Sequence, residues 1–223
     1  MLQFRLFGIP FGIGFDFWIG SALLGANVAR GADASTSLLV WIACVLVSIT
    51  VHELGHALAA RRFGAEPAIE LHALGGFTRL YGRALTRPES FWMTLAGPAA
   101  GFALYLLTLA IRTWTDLPYT LAAGGSPAGL VALKALGFLA WINLVWTLFN
   151  LLPILPLDGG RLLGALLGPG RARVAQTVGL FFAASLAALA LMYGQWWTAL
   201  FLGYLAYANF RGDPRVVPGG VGR

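Results

Sequence analysis

Residues 34–60 read ASTSLLVWIACVLVSITVHELGHALAA, and this stretch decides the fold. From Ala34 to His52 it carries no formal charge; Glu53 interrupts it, and uncharged residues resume as far as Ala60. A helix that crosses the hydrocarbon core of a bilayer needs about 20 mainly apolar residues. The stretch is long enough, so a transmembrane helix is expected over about residues 35–60. Its polar residues then have to be explained at membrane depth.

The remainder of the chain agrees with a membrane setting. Charged residues make up 11% of the 223 and hydrophobic residues 58%, whereas soluble domains carry roughly 25% charge. So little charge could not cover a soluble globule of this size, and so apolar a chain is not a disordered one. The single cysteine excludes a disulfide framework and a four-cysteine zinc site; Cys44 lies in an apolar run and reads as packing. Further spans are expected over about residues 90–112 and 130–152. Val174 to Phe210 is uncharged for about 37 residues, or about 55 Å as one helix, which is too long for a single crossing. Tyr193-Gly194-Gln195 is the expected turn between two spans, 174–193 and 195–210. A sixth, weaker segment covers 17–33.

That first segment has two readings. It is a retained span, or a signal peptide cleaved near Ala32-Asp33-Ala34, which fits the small-x-small cleavage pattern. Its late start, the single preceding Arg5 and Asp16 favour retention. Between Leu2 and Phe15, alternating apolar residues with Gly8, Pro10, Gly12 and Gly14 suggest an extended segment at the membrane surface. With the N-terminus inside, only Arg30, Arg112 and Lys134 of the 15 basic residues fall outside. That bias is the positive-inside pattern, with both termini cytoplasmic, in a cell (inner) membrane. The net charge of +6 thus reports topology and calls for no nucleic-acid partner.

Ionisable groups near membrane depth are costly and mark functional sites by default. Glu53 and Asp158 each stand at the inner end of an apolar run. Glu53 lies in His52-Glu53-Leu54-Gly55-His56, and residues four apart on a helix share a face, so both imidazoles can address one metal ion. Catalytic zinc takes three protein ligands and an open position. The metzincin spacing would put a third histidine at position 62, which is Arg62. Glu66, Glu70 and His72 could supply the ligand; Asp158 is better placed. It ends Asn150-Leu-Leu-Pro153-Ile-Leu-Pro156-Leu-Asp158-Gly159-Gly160, where the prolines stop a helix and the glycines permit a tight turn. The alternative is that Asp158 caps a short helix starting at Gly159.

These two motifs together resemble the site-2 protease family of intramembrane zinc metalloproteases, in a compact form without PDZ or CBS domain. Leu74-Gly75-Gly76-Phe77 is similar to the family's Gly-rich loop beside the active site, and Leu95-Ala96-Gly97-Pro98 to its Ala-Gly-Pro step. The resemblance implies His52, His56 and Asp158 as ligands of one Zn2+ per chain, Glu53 as catalytic base, and Asn150 near the scissile bond. For Asn150 an interhelical hydrogen bond is the alternative, and for Asn143 it is the favoured reading. Gly97 to Gly101 and Gly160 to Gly164 read as close helix contacts, the Trp residues as interfacial belts, and Glu89 as part of a helix's first turn.

The expected fold is an all-α membrane protein, a polytopic bundle of about six transmembrane helices with a small β-hairpin or sheet element near the cytoplasmic side. A single metalloprotease domain covers 1–210, followed by a cytoplasmic tail over 211–223. The expected substrates are membrane proteins with a transmembrane helix, cut within or near that helix in regulated intramembrane proteolysis. The alternative function is a catalytically silent scaffold or a metal-handling membrane protein using the same ligands. Against a carrier, the sequence has no repeated halves.

Overall fold

The alternating segment at the N-terminus does form strands. In the computed structural model, which describes residues 1–28, 31 and 33–212, β1 (Leu2–Leu6) and β2 (Ile9–Ile13) make an antiparallel hairpin, Leu2 opposite Ile13. The chain then runs through α1 (Phe15–Leu24) and α2 (Ala34–Arg62) into β3 (Ala65–His72) and β4 (Gly75–Gly82). β3 joins β2 in parallel, Phe11 opposite Ile69, and β4 returns antiparallel to β3 with His72 opposite Gly75. The sheet order is β1-β2-β3-β4, so β4 is an edge. The small sheet element expected from sequence is therefore four strands, half of them from the first thirteen residues.

The helices that follow are α3 (Arg87–Trp114), α4 (Leu117–Ala123), α5 (Pro127–Asn150), α6 (Asp158–Leu167), α7 (Ala172–Met192) and α8 (Trp196–Arg211). Among the described residues four helices, α2, α3, α5 and α7, are long and apolar enough to cross a membrane. They match the expected spans at 35–60, 90–112, 130–152 and 174–193. The other two expected segments form shorter helices among the described residues. The segment over 17–33 gives a helix of 10 residues ending at Leu24; Ala29, Arg30 and Ala32, the last being the first residue of the cleavage pattern, lie outside the described residues. The segment over 195–210 gives a helix of 16 residues, about 24 Å.

Local chemistry explains both stops. At Gly25 the indole of Trp41 lies where a Cβ would be, and its Nε1 donates to the Ser21 carbonyl at 3.0 Å. Gly25 and Asn27 are also poor helix formers. α8 ends on Gly212, whose φ of +62° is the left-handed cap that favours glycine. The expected turn between α7 and α8 is present, with Gly194 at φ +68°. α3 begins with a capping box: Thr86 N–H and Oγ1 both donate to Glu89 Oε2 at 2.8 Å, which places Glu89 in the first turn as expected.

The chain groups into two compact units. The first comprises residues 1–85 and 96–147. Its core packs the inner face of β2 and β3 (Ile9, Phe11, Ile13, Ile69, Leu71) against Phe17 of α1, Trp41, Val45 and Ile49 of α2, and Ile142 of α5. The buried residues of α2, from Ser37 and Trp41 to His56 and Ala60, recur at spacings of three and four, one continuous stripe. Asn143 donates from α5 to Ser48 Oγ at 2.9 Å, the expected interhelical bond. The second unit comprises 86–95 and 148–223, described to Gly212, with Ile154, Ala183, Leu202, Leu205 and Ala206 at its core. The tail expected from 211 lies outside the described residues beyond Gly212. Trp92, Trp114, Trp196 and Trp197 are all exposed, as residues of an interfacial belt are.

Candidate metal centre

The site starts from the spacing of His52 and His56 on the buried stripe of α2. With 3.6 residues per turn, the two rings lie on one face, edge-on at 82° to each other, and their Nε2 atoms are 3.1 Å apart. Two nitrogens bound at 2.0–2.1 Å to one tetrahedral zinc would be about 3.3 Å apart, so the pair is already spaced for a shared ion. Glu53, next on the helix, completes the group: the ligand atoms of His52, Glu53 and His56 all lie within 4.8 Å of one another, and all three residues are buried. Two imidazoles at this spacing fit zinc, and the carboxylate beside them is close enough to serve as ligand or as base to a metal-bound water.

The surroundings of this triad come from β4 and α3. Thr78 Oγ1 donates to Glu53 Oε2 at 2.8 Å, fixing one oxygen of the carboxylate. Gly76 lies so close that a Cβ there would be 2.6 Å from Glu53 Cγ. On the other side, a Cβ on Gly97 of α3 would fall on the His56 ring, and one on Gly55 of α2 would fall on the Ala96 carbonyl. A Cβ on Gly101 would be 3.0 Å from Thr147 Oγ1 and 3.9 Å from His52 Nδ1. The small residues at 97 and 101 do mark close helix contact, as their spacing suggests. They also make room for the imidazoles, a role that their sequence position alone does not show.

Other candidates fall elsewhere. His72 closes β3, where its Nδ1 accepts the Leu74 N–H at 3.3 Å. Glu70 pairs with Arg79 at 3.2 Å across the hairpin, and Glu66 is exposed on β3. Asp158 and Asn150 are both buried, in the second unit. Asn150 is the last residue of α5. Asp158 is the first helical residue of α6 with Leu157 as the cap, so it is not the N-cap of a helix that begins at Gly159. Gly159 and Gly160 are needed there, because a Cβ on either would meet the backbone of residues 151–155. Gly160 packs on the irregular backbone at Ile154 and Leu155 and Gly164 has open space, so the close helix contact expected of this pair is not made.

The sequence profile of peptidase family M50 matches residues 40–125 and 118–192, which takes in the helix of the triad and the segment of Asp158. The chain belongs to peptidase family M50. Similar M50 relatives are named as zinc metalloproteases. Rip3 of Mycobacterium tuberculosis is 37% identical over 75% of this chain and 44% of its own length. The Synechocystis protein sll0528 is 33% identical over 71% of this chain and 41% of its own. MJ0392 of Methanocaldococcus jannaschii is 27% identical over 74% and 44%. The chain thus spans less than half the length of these three relatives. No solved structure matches it significantly.

Proposed function

We propose that this M50 chain is an intramembrane zinc endopeptidase, which hydrolyses peptide bonds within or near the transmembrane segments of membrane-protein substrates. The observation that carries the reading is the buried His52–Glu53–His56 triad with its two Nε2 atoms 3.1 Å apart. His52, His56 and Asp158 hold one zinc ion; the assignment of Asp158 rests on the sequence motif. When bound, zinc supplies Lewis-acid polarisation of the scissile carbonyl and brings a water's pKa to about 7. Glu53 accepts the proton of the attacking water and passes it to the leaving amine. Because its Oε2 already takes the Thr78 hydroxyl, Oε1 is the oxygen that receives it. Asn150 donates a hydrogen bond to the developing oxyanion.

A peptide bond inside a substrate helix is shielded by its own hydrogen bonds, so the substrate has to unwind. β4 ends the sheet, and its residue Gly76 lies against Glu53. The unwound segment adds to β4 as a further strand, held by main-chain bonds over the triad. Both termini are cytoplasmic, and the substrates are single-span proteins or similar membrane proteins, cleaved in regulated proteolysis.

The test is co-expression with candidate single-span proteins, wild type against Glu53→Gln, with zinc counted per purified chain. The expected result is about one zinc in both proteins and cleavage in the wild type alone. Equal cleavage by both, or no zinc in chelator-free wild-type protein, would sink the reading.

A further inference from the structure

Asn209 is an amide in the buried face of α8, among Leu202, Leu205 and Ala206, and it is 2% exposed. Its Nδ2 donates twice, to the Leu205 carbonyl of its own helix at 2.8 Å and to the Leu155 carbonyl at 2.7 Å. Leu155 stands between Pro153 and Pro156, three residues before Asp158. α7 is shaped around the same amide: a Cβ on Gly179 would fall on Asn209 Oδ1. All of these residues lie in the second compact unit.

A buried amide in an apolar helix is a costly choice if only packing is needed, because a leucine fills the same space without losing hydration. The bond from Asn209 meets a need of the other partner. Residues 151–157 are irregular backbone at membrane depth, where every carbonyl has to be satisfied from within the protein. Two prolines in this stretch donate nothing. Asn209 holds the stretch at Leu155, and Gly159 and Gly160 fold the following turn back on it, so the approach to Asp158 is fixed from both sides.

We infer that Asn209 is a positioning residue, which acts through the Leu155 carbonyl to place the Asp158 carboxylate for metal binding. This rests on the ligand role proposed for Asp158, and the experiment separates the two. Cobalt(II) affinity of the full chain in detergent micelles is measured by chelator competition for wild type, Asn209→Leu, Asp158→Ala and the double variant, with the melting temperature of each metal-free protein alongside. The expected result is a marked loss of affinity in Asp158→Ala and about a tenfold loss in Asn209→Leu. The double variant should bind no more weakly than Asp158→Ala alone, an outcome that a merely structural role would not produce. Should Asn209→Leu fail to fold, Gly179→Ala, which crowds the same amide, is expected to lose affinity in the same direction. Wild-type affinity in Asn209→Leu or its stand-in, or losses that add in the double variant, would overturn the positioning role. Wild-type affinity in Asp158→Ala would instead overturn the ligand assignment, and the positioning role with it.

Discussion

His56 faces Gly97 so closely that a single methyl group would strike its ring. Gly97→Ala is therefore expected to displace His56, a proposed zinc ligand, and to weaken zinc binding about tenfold or more, measured as metal retained per chain after dialysis against a chelator. Retention equal to wild type would show that α3 can yield at this point. The pairing of His52 with His56 was legible from their spacing alone, because helix geometry fixes which residues share a face. The partnership of Gly97 with His56 was not, since about forty residues separate them and only packing brings them together. A second residue-scale expectation concerns Asp33, whose carboxyl is held below its usual pKa by a hydrogen bond and charge attraction from Lys134. A lowered carboxylate stabilises the fold at pH above its unfolded value, near 3.9, and loses that contribution as pH falls through the folded one. Lys134→Met should move the Asp33 titration up towards the ordinary range, read by carbonyl NMR, and leave neutral-pH behaviour almost unchanged because the pair is exposed.

Among the elements, the β3–β4 hairpin makes the clearest demand on sequence. Gly75 has φ +125°, a conformation that side chains disfavour, and a Cβ there would be 2.9 Å from the Trp146 ring. Gly76 lies against Glu53. Substitution of either by Val should cut cleavage strongly, and Gly76→Val the more, since it presses on the Glu53 carboxylate proposed as the base as well as on the strand. Undiminished cleavage of a transmembrane substrate would dismiss the role of this edge. A small hairpin or sheet element was expected, and the Gly-rich Leu74–Phe77 stretch at its turn stood out in the sequence. The parallel pairing of β2 with β3 was not legible, because it joins residues more than fifty positions apart, with two helices between them. Helix ends were less legible for a related reason. An apolar run sets an upper limit to a helix, while its end is set by local features such as Gly25 under Trp41 or the left-handed Gly212.

At the scale of the whole molecule, composition carried most of the information: so few charges in so apolar a chain leave a membrane as the only suitable solvent. The direction of insertion proposed from where the basic residues fall can be checked directly. Cys44 is the single cysteine and is buried, so Cys44→Ala gives a background for labelling. In that background, cysteines placed at Arg112 and at Arg171 should react from opposite sides of a sealed vesicle, the second from the cytoplasmic side. Labelling of both from one side would refute the assigned orientation. The second compact unit was the least legible part, because the contact that orders it, Asn209 to Leu155, joins two segments that look like ordinary apolar sequence.

The shortness of α1 bears on the host lipid as well. Ten residues reach about 15 Å, half of a typical hydrocarbon core, yet Phe15, Ile19, Leu23 and Leu24 turn greasy surface outward. Where α1 meets lipid, thinning of the bilayer beside it is the expected accommodation of so short a segment. Reconstitution into phosphatidylcholines of lengthening acyl chains should then slow turnover progressively, making bilayer depth itself a control on the enzyme.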